Sequence, residues 1–200
     1  MIDTIILDIG QVLVDFRWKE YLEECGYDEE TKRRVSEATV LGEYWKEQDR
    51  GILSTKELIS LCSEKDPSVK NEINQLFNDV SKLVVEYDYS KDFVKNLKAN
   101  GYKVYLLSNF GSNFATVKDR FHFYPYVDGG IISYEVNQIK PDLDIYESLI
   151  QKYNINPSNA VFLDDREDNI QSAKVLGFHT ILVGEFKEAL KDLRGLGVKI

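Results

Sequence analysis

The chain has 200 residues, of which 43% are hydrophobic and 30% charged, a composition typical of a globular protein. This length suits one domain, or a core with a modest insertion, that buries about 70% of its unfolded surface. A formal net charge of −9 argues against nucleic acid or an anionic membrane as the main partner. No apolar run is long enough for a transmembrane helix, and none is expected.

The N-terminal segment and the cysteines bear on the cellular compartment. The sequence starts with an apolar segment and lacks the charged-then-apolar layout of a signal peptide. Cys25 and Cys62 lie far apart in helical patterns without a partner motif, which fits buried thiols in a reducing environment. We therefore expect a cytoplasmic protein, and we predict no particular oligomeric state.

The first predicted element is a strand over Thr4–Asp8, which is rich in β-branched and apolar residues. Asp8 then stands where a buried strand runs into a loop, at the edge where α/β sheets bind their ligands. We expect Gly10 to let the chain turn sharply before the next apolar run, Val12–Val14.

Residues 16–85 contain helical patterns and no clear strand. The helical stretches are Trp18–Glu24, Glu29–Leu41, Ser54–Cys62 and Lys70–Leu83. Ser54 and Glu57 have the spacing of a capping box, which marks a helix start. Asp66-Pro67 indicates a break between helices. We predict a helical cap over residues 16–85, inserted into a core of residues 1–15 and 86–200.

Beyond the insertion, short apolar strands alternate with amphipathic helices. The strands are Lys103–Ser108, Gly130–Ser133, Ala160–Asp164 and Thr180–Val183, and the helices are Ser90–Asn100, Leu143–Tyr153 and Asp168–Leu176. Because this alternation implies right-handed crossovers, we predict an α/β fold with a doubly wound parallel sheet.

Four polar motifs each follow one of the predicted strands. They are Asp8, Ser108-Asn109, Lys140 in Lys140-Pro141-Asp142, and Asp164-Asp165. Since parallel strands end at one edge of a sheet, we expect all four motifs to meet there.

These residue types suit phosphoryl transfer. A carboxylate such as Asp8 can attack phosphorus and form an aspartyl-phosphate, which divides one difficult displacement into two. A magnesium ion held by carboxylates and a backbone carbonyl supplies the positive charge that two anions need to meet. Ser108 and nearby backbone N–H groups can bind phosphate oxygens, and Lys140 adds a point charge.

The four motifs, in this order, resemble those of the haloacid dehalogenase superfamily, and the resemblance covers nearly the whole chain. Asp8 matches the family's nucleophile, Ser108 its second motif and Lys140 its third, while Asp164-Asp165 matches the acidic fourth motif. The resemblance implies a Rossmann-like core with a first-type helical cap and a magnesium-dependent phosphatase acting on a small phosphorylated metabolite.

The resemblance also implies the roles of the site residues. Magnesium is expected to bind Asp8, the Gly10 carbonyl and an acid of the fourth motif. Asp165 is favoured as the direct ligand, and Asp164 and Asn169 then support it. Ser108, Asn109 and Lys140 are expected to bind the substrate phosphate.

Gly10 departs from the family's pattern, because most family phosphatases have an Asp there that protonates the leaving group and later activates water. Such an acid–base group contributes about 10²–10⁴-fold to the rate. A branch of bacterial sugar-phosphate phosphatases, including α-glucose-1-phosphate phosphatases, has Gly at this position. Since an anomeric hydroxyl is a better leaving group than an ordinary alcohol, we expect a sugar phosphate such as an aldose 1-phosphate.

Two other functions stay open on the sequence. A haloacid dehalogenase would attack carbon with its Asp and need no metal, and the pair Asp164-Asp165 argues against it. A catalytically impaired phosphate-binding or regulatory protein is suggested by Gly10 alone. The presence of the other motif residues argues against that second function.

Overall fold

A parallel β-sheet of five strands forms the centre of the computed structural model, which describes residues 1–200. The strands of the chain are β1 (Thr4–Leu7), β2 (Val14–Phe16), β3 (Val84–Glu86), β4 (Lys103–Ser108), β5 (Gly129–Ile132), β6 (Ala160–Asp164) and β7 (His179–Leu182). The central sheet has the order β5-β4-β1-β6-β7, and all its neighbours are parallel. The doubly wound α/β fold predicted from the sequence is therefore confirmed.

Eleven α-helices surround or extend this sheet. They are α1 (Trp18–Glu24), α2 (Glu29–Ala38), α3 (Tyr44–Asp49), α4 (Thr55–Lys65), α5 (Lys70–Asn78), α6 (Ser90–Ala99), α7 (Phe114–Val117), α8 (Ser133–Val136), α9 (Leu143–Tyr153), α10 (Glu167–Val175) and α11 (Phe186–Gly195). The predicted core strands and helices agree with the observed ones to within one residue at each end, whereas α7, α8 and α11 are not among the predicted helices.

The alternation of side chains along the strands builds a core on each face of the sheet. In β1, Ile5 and Leu7 join the cluster that includes residues of α6 and α11, whereas Ile6 joins the cluster that includes residues of α9 and α10. Because successive strand residues point to opposite faces, a run of apolar residues is what a strand covered on both sides requires.

Helices α1–α5 enclose a separate hydrophobic cluster between β2 and β3. The absence of strands predicted for residues 16–85 is wrong at both ends, because β2 and β3 pair antiparallel, with Phe16 opposite Val84. Each strand has three residues, so neither gives a period-2 signal, and each forms by pairing with a segment about seventy residues away in the chain. The two connections to the insertion thus run side by side.

Two predicted helices of the insertion are too long. The helix predicted over Glu29–Leu41 ends at Ala38, and the one over Lys70–Leu83 ends at Asn78. There Asp79 accepts a hydrogen bond from the Ser81 backbone and begins a 3₁₀ turn, as an acid at a helix start does. The predicted Ser54–Glu57 capping box is present at the start of α4.

Neither cysteine forms a disulfide: Cys62 is buried as predicted, whereas Cys25 is partly exposed. None of the helices combines the length and the apolar character that crossing a membrane requires.

Candidate active site

The register of three strands brings acidic and hydroxyl side chains to one edge of the sheet. Leu7 of β1 pairs with Leu106 of β4 on one side and with Leu163 of β6 on the other. Asp8 and Asp164 therefore lie side by side, and Ser108 lies at the end of the neighbouring strand β4. All three residues are buried, as the strand-end position predicts for groups that meet above a parallel sheet.

Lys140 comes from the loop after α8 and inserts its ammonium group between two of these acids. Its Nζ lies 3.0 Å from Asp8 Oδ1 and 2.6 Å from Asp164 Oδ2, and it donates a third hydrogen bond to the Leu107 carbonyl at 2.8 Å. Only 3% of Lys140 is exposed, so these partners, and not water, stabilise its positive charge. The ammonium group thus fixes the two carboxylates relative to each other.

Asn109 fixes the loop that carries Lys140. Its Oδ1 accepts a hydrogen bond from the Lys140 backbone N–H at 2.8 Å, and its Nδ2 donates to the Lys140 carbonyl at 2.9 Å. The structure therefore gives Asn109, predicted to contact the substrate, a positioning contact with Lys140. One N–H of its amide is left for the cavity that it also lines.

Asp164 and Asp165 differ sharply in how many partners they have. Both carboxylate oxygens of Asp164 accept hydrogen bonds from Asn169 Nδ2, at 2.9 and 3.0 Å. The Arg166 backbone N–H adds a bond of 2.8 Å to the same side chain, beside the contact with Lys140. The partly exposed Asp165 carboxylate has no hydrogen-bond donor from another residue and forms no ion pair. Its oxygens are thus the freer pair for a ligand.

The donor set at this edge fits a hard divalent cation. Carboxylate oxygens of Asp8, Asp164 and Asp165 lie within 4.8 Å of one another. The Gly10 carbonyl accepts no hydrogen bond from the chain, so it too has a free oxygen. Oxygen donors of this kind are what Mg²⁺ prefers, and it keeps its remaining positions for water and phosphate oxygens. The three acids of the predicted magnesium site are therefore together.

Burial and mutual repulsion perturb the charges of the site. Burial raises the pKa of Asp8 to about 7; Lys140 opposes this shift and Asp164 adds to it, while the Ser108 hydroxyl favours the charged form. Burial disfavours the charge of Lys140, but Asp8 and Asp164 outweigh it and hold the pKa of Lys140 above its ordinary value. Burial and then Asp164 raise the pKa of Asp165. The site holds three carboxyl groups and only one ammonium group, so it has a deficit of positive charge that a cation would supply.

Gly10 leaves space beside Asp8. The expectation that Gly10 makes the sharp turn is wrong, because the residue with a positive φ is Gln11, at 55°. The turn is closed by a hydrogen bond of 2.7 Å from the Gln11 N–H to the Val14 carbonyl. A Cβ added to Gly10 would meet no atom within 4 Å. Neither the backbone conformation nor a lack of space therefore requires a glycine at position 10.

A cavity of about 170 Å³ opens above Gly10, between the sheet edge and the insertion. More than half of its lining residues are hydrophobic, and they include Phe16, Trp45 and Phe110. Its polar lining comes from the core residue Asn109 and from Gln48 and Asp49 of α3, among others. The insertion therefore contributes both apolar surface and an acid to the space beside Gly10.

Asp49 is a residue of the site that was not predicted from the sequence, and neither was α3, the helix that it ends. Burial, and secondarily the Asp8 carboxylate, raises the pKa of Asp49 to about 7. No motif marks this residue, because α3 has only six residues and its docking site is far away in the chain. The available signal was the sequence Asp49-Arg50-Gly51, in which a glycine directly follows a short charged helix.

A family model for hydrolases, described as haloacid dehalogenase-like hydrolase, matches residues 2–177. The chain belongs to the haloacid dehalogenase-like hydrolases. The resemblance that the sequence motifs indicate is thereby confirmed at the level of this family, as is the prediction that the protein is a hydrolase.

Curated relatives of this haloacid dehalogenase-like hydrolase include two phosphatases. D-ribitol-5-phosphate phosphatase from Bacteroides thetaiotaomicron is 28% identical over 90% of this chain and 91% of its own length. Sesquiterpene phosphatase astK from Aspergillus oryzae is 21% identical over 96% of this chain and 94% of its own length. Other relatives are longer; the chain spans only 37% of drimenol cyclase drtB from Aspergillus calidoustus.

A solved structure with the same fold contains magnesium and phosphate, the ligands predicted from the motifs of this chain. It is a haloacid dehalogenase family enzyme from Bacteroides thetaiotaomicron in complex with magnesium and inorganic phosphate. It superposes with a TM-score of 0.72 at 23% identity and covers 94% of this chain and 99% of its own. At this identity the likeness establishes the fold, and the metal and phosphate belong to that protein.

Proposed function

We propose that the protein is a magnesium-dependent phosphatase that hydrolyses a small phosphorylated metabolite through an aspartyl-phosphate on Asp8. The observation that carries this proposal is the meeting of Asp8, Lys140 and the acids Asp164 and Asp165 at one edge of the sheet. The phosphatase activity of two curated relatives supports the same reaction class.

Each residue of the site has a role in this reaction. Asp8 attacks phosphorus, and Lys140 holds the Asp8 carboxylate in place through its 3.0 Å contact. The Ser108 hydroxyl binds a phosphate oxygen, and Asp164 orients Lys140. Magnesium, when bound to Asp8, Asp165 and the Gly10 carbonyl, offsets the repulsion between the phosphate and the carboxylates.

We infer that residues 16–85 act as a cap over this site, with residues 1–15 and 86–200 as the core. The cap proposal is supported by the separate hydrophobic cluster of α1–α5 and by the position of β2 and β3 at its two ends. Closure of the cap would exclude water and select the leaving group, as lids do in other enzymes.

The substrate class that we propose is a sugar phosphate, such as an aldose 1-phosphate. The lack of a side chain at Gly10 favours a leaving group that needs little protonation, which an anomeric oxygen provides. The D-ribitol-5-phosphate phosphatase among the relatives supports a sugar-type phosphate in general.

The lining of the cavity favours a second substrate class, an organic phosphate with an apolar leaving group. Phe16, Trp45 and Phe110 offer apolar surface where a sugar would require hydrogen-bonding partners. The sesquiterpene phosphatase among the relatives supports this alternative.

A panel of phosphorylated sugars, nucleotides, acids and prenyl alcohols, assayed with magnesium, tests the function. We expect hydrolysis of at least one class, loss of activity in excess chelator, and near-complete loss in Asp8→Asn. Asp3→Asn is the matched control, because Asp3 precedes the same strand at the opposite edge of the sheet. Activity that persists in chelator would favour the metal-independent dehalogenase, and full activity of Asp8→Asn would refute the mechanism.

The same panel separates the substrate classes. A preference for glucose 1-phosphate over glucose 6-phosphate supports the aldose 1-phosphate proposal, and a clear preference for the 6-phosphate defeats it. A preference for a prenyl phosphate over both sugars would select the apolar alternative.

A further inference from the structure

The reaction proposed above needs a proton donor that the core does not supply. Even an anomeric oxygen, which needs less protonation than an ordinary alkoxide, leaves faster when an acid protonates it, and the water that attacks the aspartyl-phosphate must lose a proton. Asp8 is the nucleophile, and all three hydrogens of Lys140 Nζ are engaged with Asp8, Asp164 and the Leu107 carbonyl. Gly10, which follows Asp8 by two residues, has no side chain.

The insertion brings an acid to this position. Asp49, at the end of α3, lines the same cavity as Gly10 and Asn109. Apart from burial, the Asp8 carboxylate is the group that raises the pKa of Asp49, and Asp49 lines the cavity beside Gly10, which follows Asp8 by two residues. The Asp49 carboxylate accepts no hydrogen bond and forms no ion pair, in contrast to the fully engaged Asp164.

The core holds the Asp49 backbone in this place. The Ser133 hydroxyl donates a hydrogen bond of 2.5 Å to the Asp49 carbonyl. The Asn137 side chain donates one of 3.0 Å to the next carbonyl, that of Arg50. Gly51 then has a φ of +77° and packs against Tyr134, where a Cβ would lie 2.5 Å from the carbonyl oxygen. The backbone is thus fixed by the core while the carboxylate is left free in the cavity.

The apolar surroundings of Asp49 give its carboxyl group the properties of an acid–base catalyst. Because burial raises its pKa to about 7, the group can both hold and release a proton near neutral pH. The hydrophobic lining beside it, from Phe16, Trp45 and Phe110, disfavours the charged form.

We propose that Asp49 is the general acid and base of the reaction; this inference rests on the proposed function. In the first step a bond forms between an Asp8 oxygen and phosphorus while the bond from phosphorus to the leaving oxygen breaks. The proton of the Asp49 carboxyl group moves to that leaving oxygen. In the second step a water oxygen bonds to phosphorus and gives its proton to the Asp49 carboxylate. The bond to Asp8 then breaks and releases phosphate.

Asp49→Asn tests this role, with Glu47→Gln as the matched control on the same helix, since the Glu47 side chain makes no hydrogen bond or ion pair. The probes are p-nitrophenyl phosphate, whose leaving group needs no proton, and the panel phosphate with an alcohol leaving group that the wild type hydrolyses fastest. With the latter, Asp49→Asn should lose about 10²–10⁴-fold in kcat, whereas Glu47→Gln should match the wild type. With p-nitrophenyl phosphate, rapid mixing should still show a burst of one nitrophenolate per Asp49→Asn enzyme, followed by slow turnover.

A second variant supplies the missing side chain from the core. The open space at Gly10 accepts a Cβ without contact, so the double variant Gly10→Asp/Asp49→Asn should regain at least about tenfold of the lost rate. This rescue is not expected if Asp49 only holds the insertion against the core.

The outcomes distinguish failure of this inference from failure of the proposed function. An Asp49→Asn enzyme within about threefold of the wild type on both probes would overturn the role of Asp49 alone. Loss of the nitrophenolate burst in that variant would do the same, because it would show a defect that does not depend on the leaving group. A wild-type enzyme without phosphatase activity would overturn the proposed function and the role of Asp49 with it.

Discussion

Replacement of Lys140 by methionine should strongly destabilise the protein in the absence of a divalent cation. The Lys140 side chain fills a buried site in which its Nζ meets Asp8 at 3.0 Å and Asp164 at 2.6 Å. Methionine keeps most of the volume and removes the charge. Breaking a buried ion pair by removing one partner costs about 3–5 kcal/mol, because the other partner stays buried without compensation. This loss is a large part of a typical total stability of roughly 5–15 kcal/mol.

The loss should depend on pH in a direction that the site determines. The Asp8 carboxyl already has its pKa raised to about 7, and Lys140 is the strongest of the groups that oppose this shift. Without Lys140 the pKa of Asp8 rises further, so the folded state retains a proton at a pH where the unfolded state has lost it. Stability of the variant then continues to fall as pH rises above about 7, and its deficit is larger near pH 8.5 than near pH 6.

Urea unfolding in chelator, followed by far-UV circular dichroism, measures this effect. Circular dichroism is preferable to tryptophan fluorescence, because Trp18 and Trp45 both lie in the insertion and not in the core. Lys103→Met is the matched control, since Lys103 is exposed at the opposite end of β4. Stability of Lys140→Met within about 1 kcal/mol of the control at both pH values would refute the reasoning.

Three further predictions concern the insertion, its docking and the cation. Gly51→Ala should lower the free energy of unfolding by about 1–3 kcal/mol and lower activity, because the added Cβ would lie 2.5 Å from a core carbonyl oxygen. The control is Gly26→Ala, at a residue with a similar φ and open space around it. It should lower the free energy of unfolding by about 1 kcal/mol in the same urea titration and leave activity unchanged. The Arg34 guanidinium is the main group that lowers the pKa of Asp66, to about 2. The stability advantage of the wild type over Asp66→Asn should therefore shrink between about pH 4 and pH 2. Equal urea midpoints of the two proteins at all pH values would contradict this prediction. Magnesium at about 100 times its Kd should stabilise the wild type by about 2.7 kcal/mol in thermal melts, and Asp165→Asn should lose most of this gain.

Local sequence patterns determined the core architecture and the main residues of the site. Strands β1, β4 and β6 are buried on both faces, so their apolar runs identify them without knowledge of their neighbours. Parallel pairing then requires that the residues after these runs meet, which is why Asp8 and Asp164 could be placed together from the sequence. The capping box of Ser54 is likewise a local pattern, and it is found where predicted.

Tertiary structure alone decided what surrounds these residues. The strands β2 and β3 exist because they pair with each other, and their three residues each carry no pattern of their own. Asn109 could not be recognised as the residue that holds the Lys140 loop, because that contact depends on how the loop after α8 packs. Asp49 reaches the Gly10 cavity only because Ser133 and Asn137, more than eighty residues later in the chain, bind the end of α3. Contacts between distant segments depend on the packing of whole elements, and Gly51, the local signal near Asp49, marks the end of a helix without showing what that helix packs against.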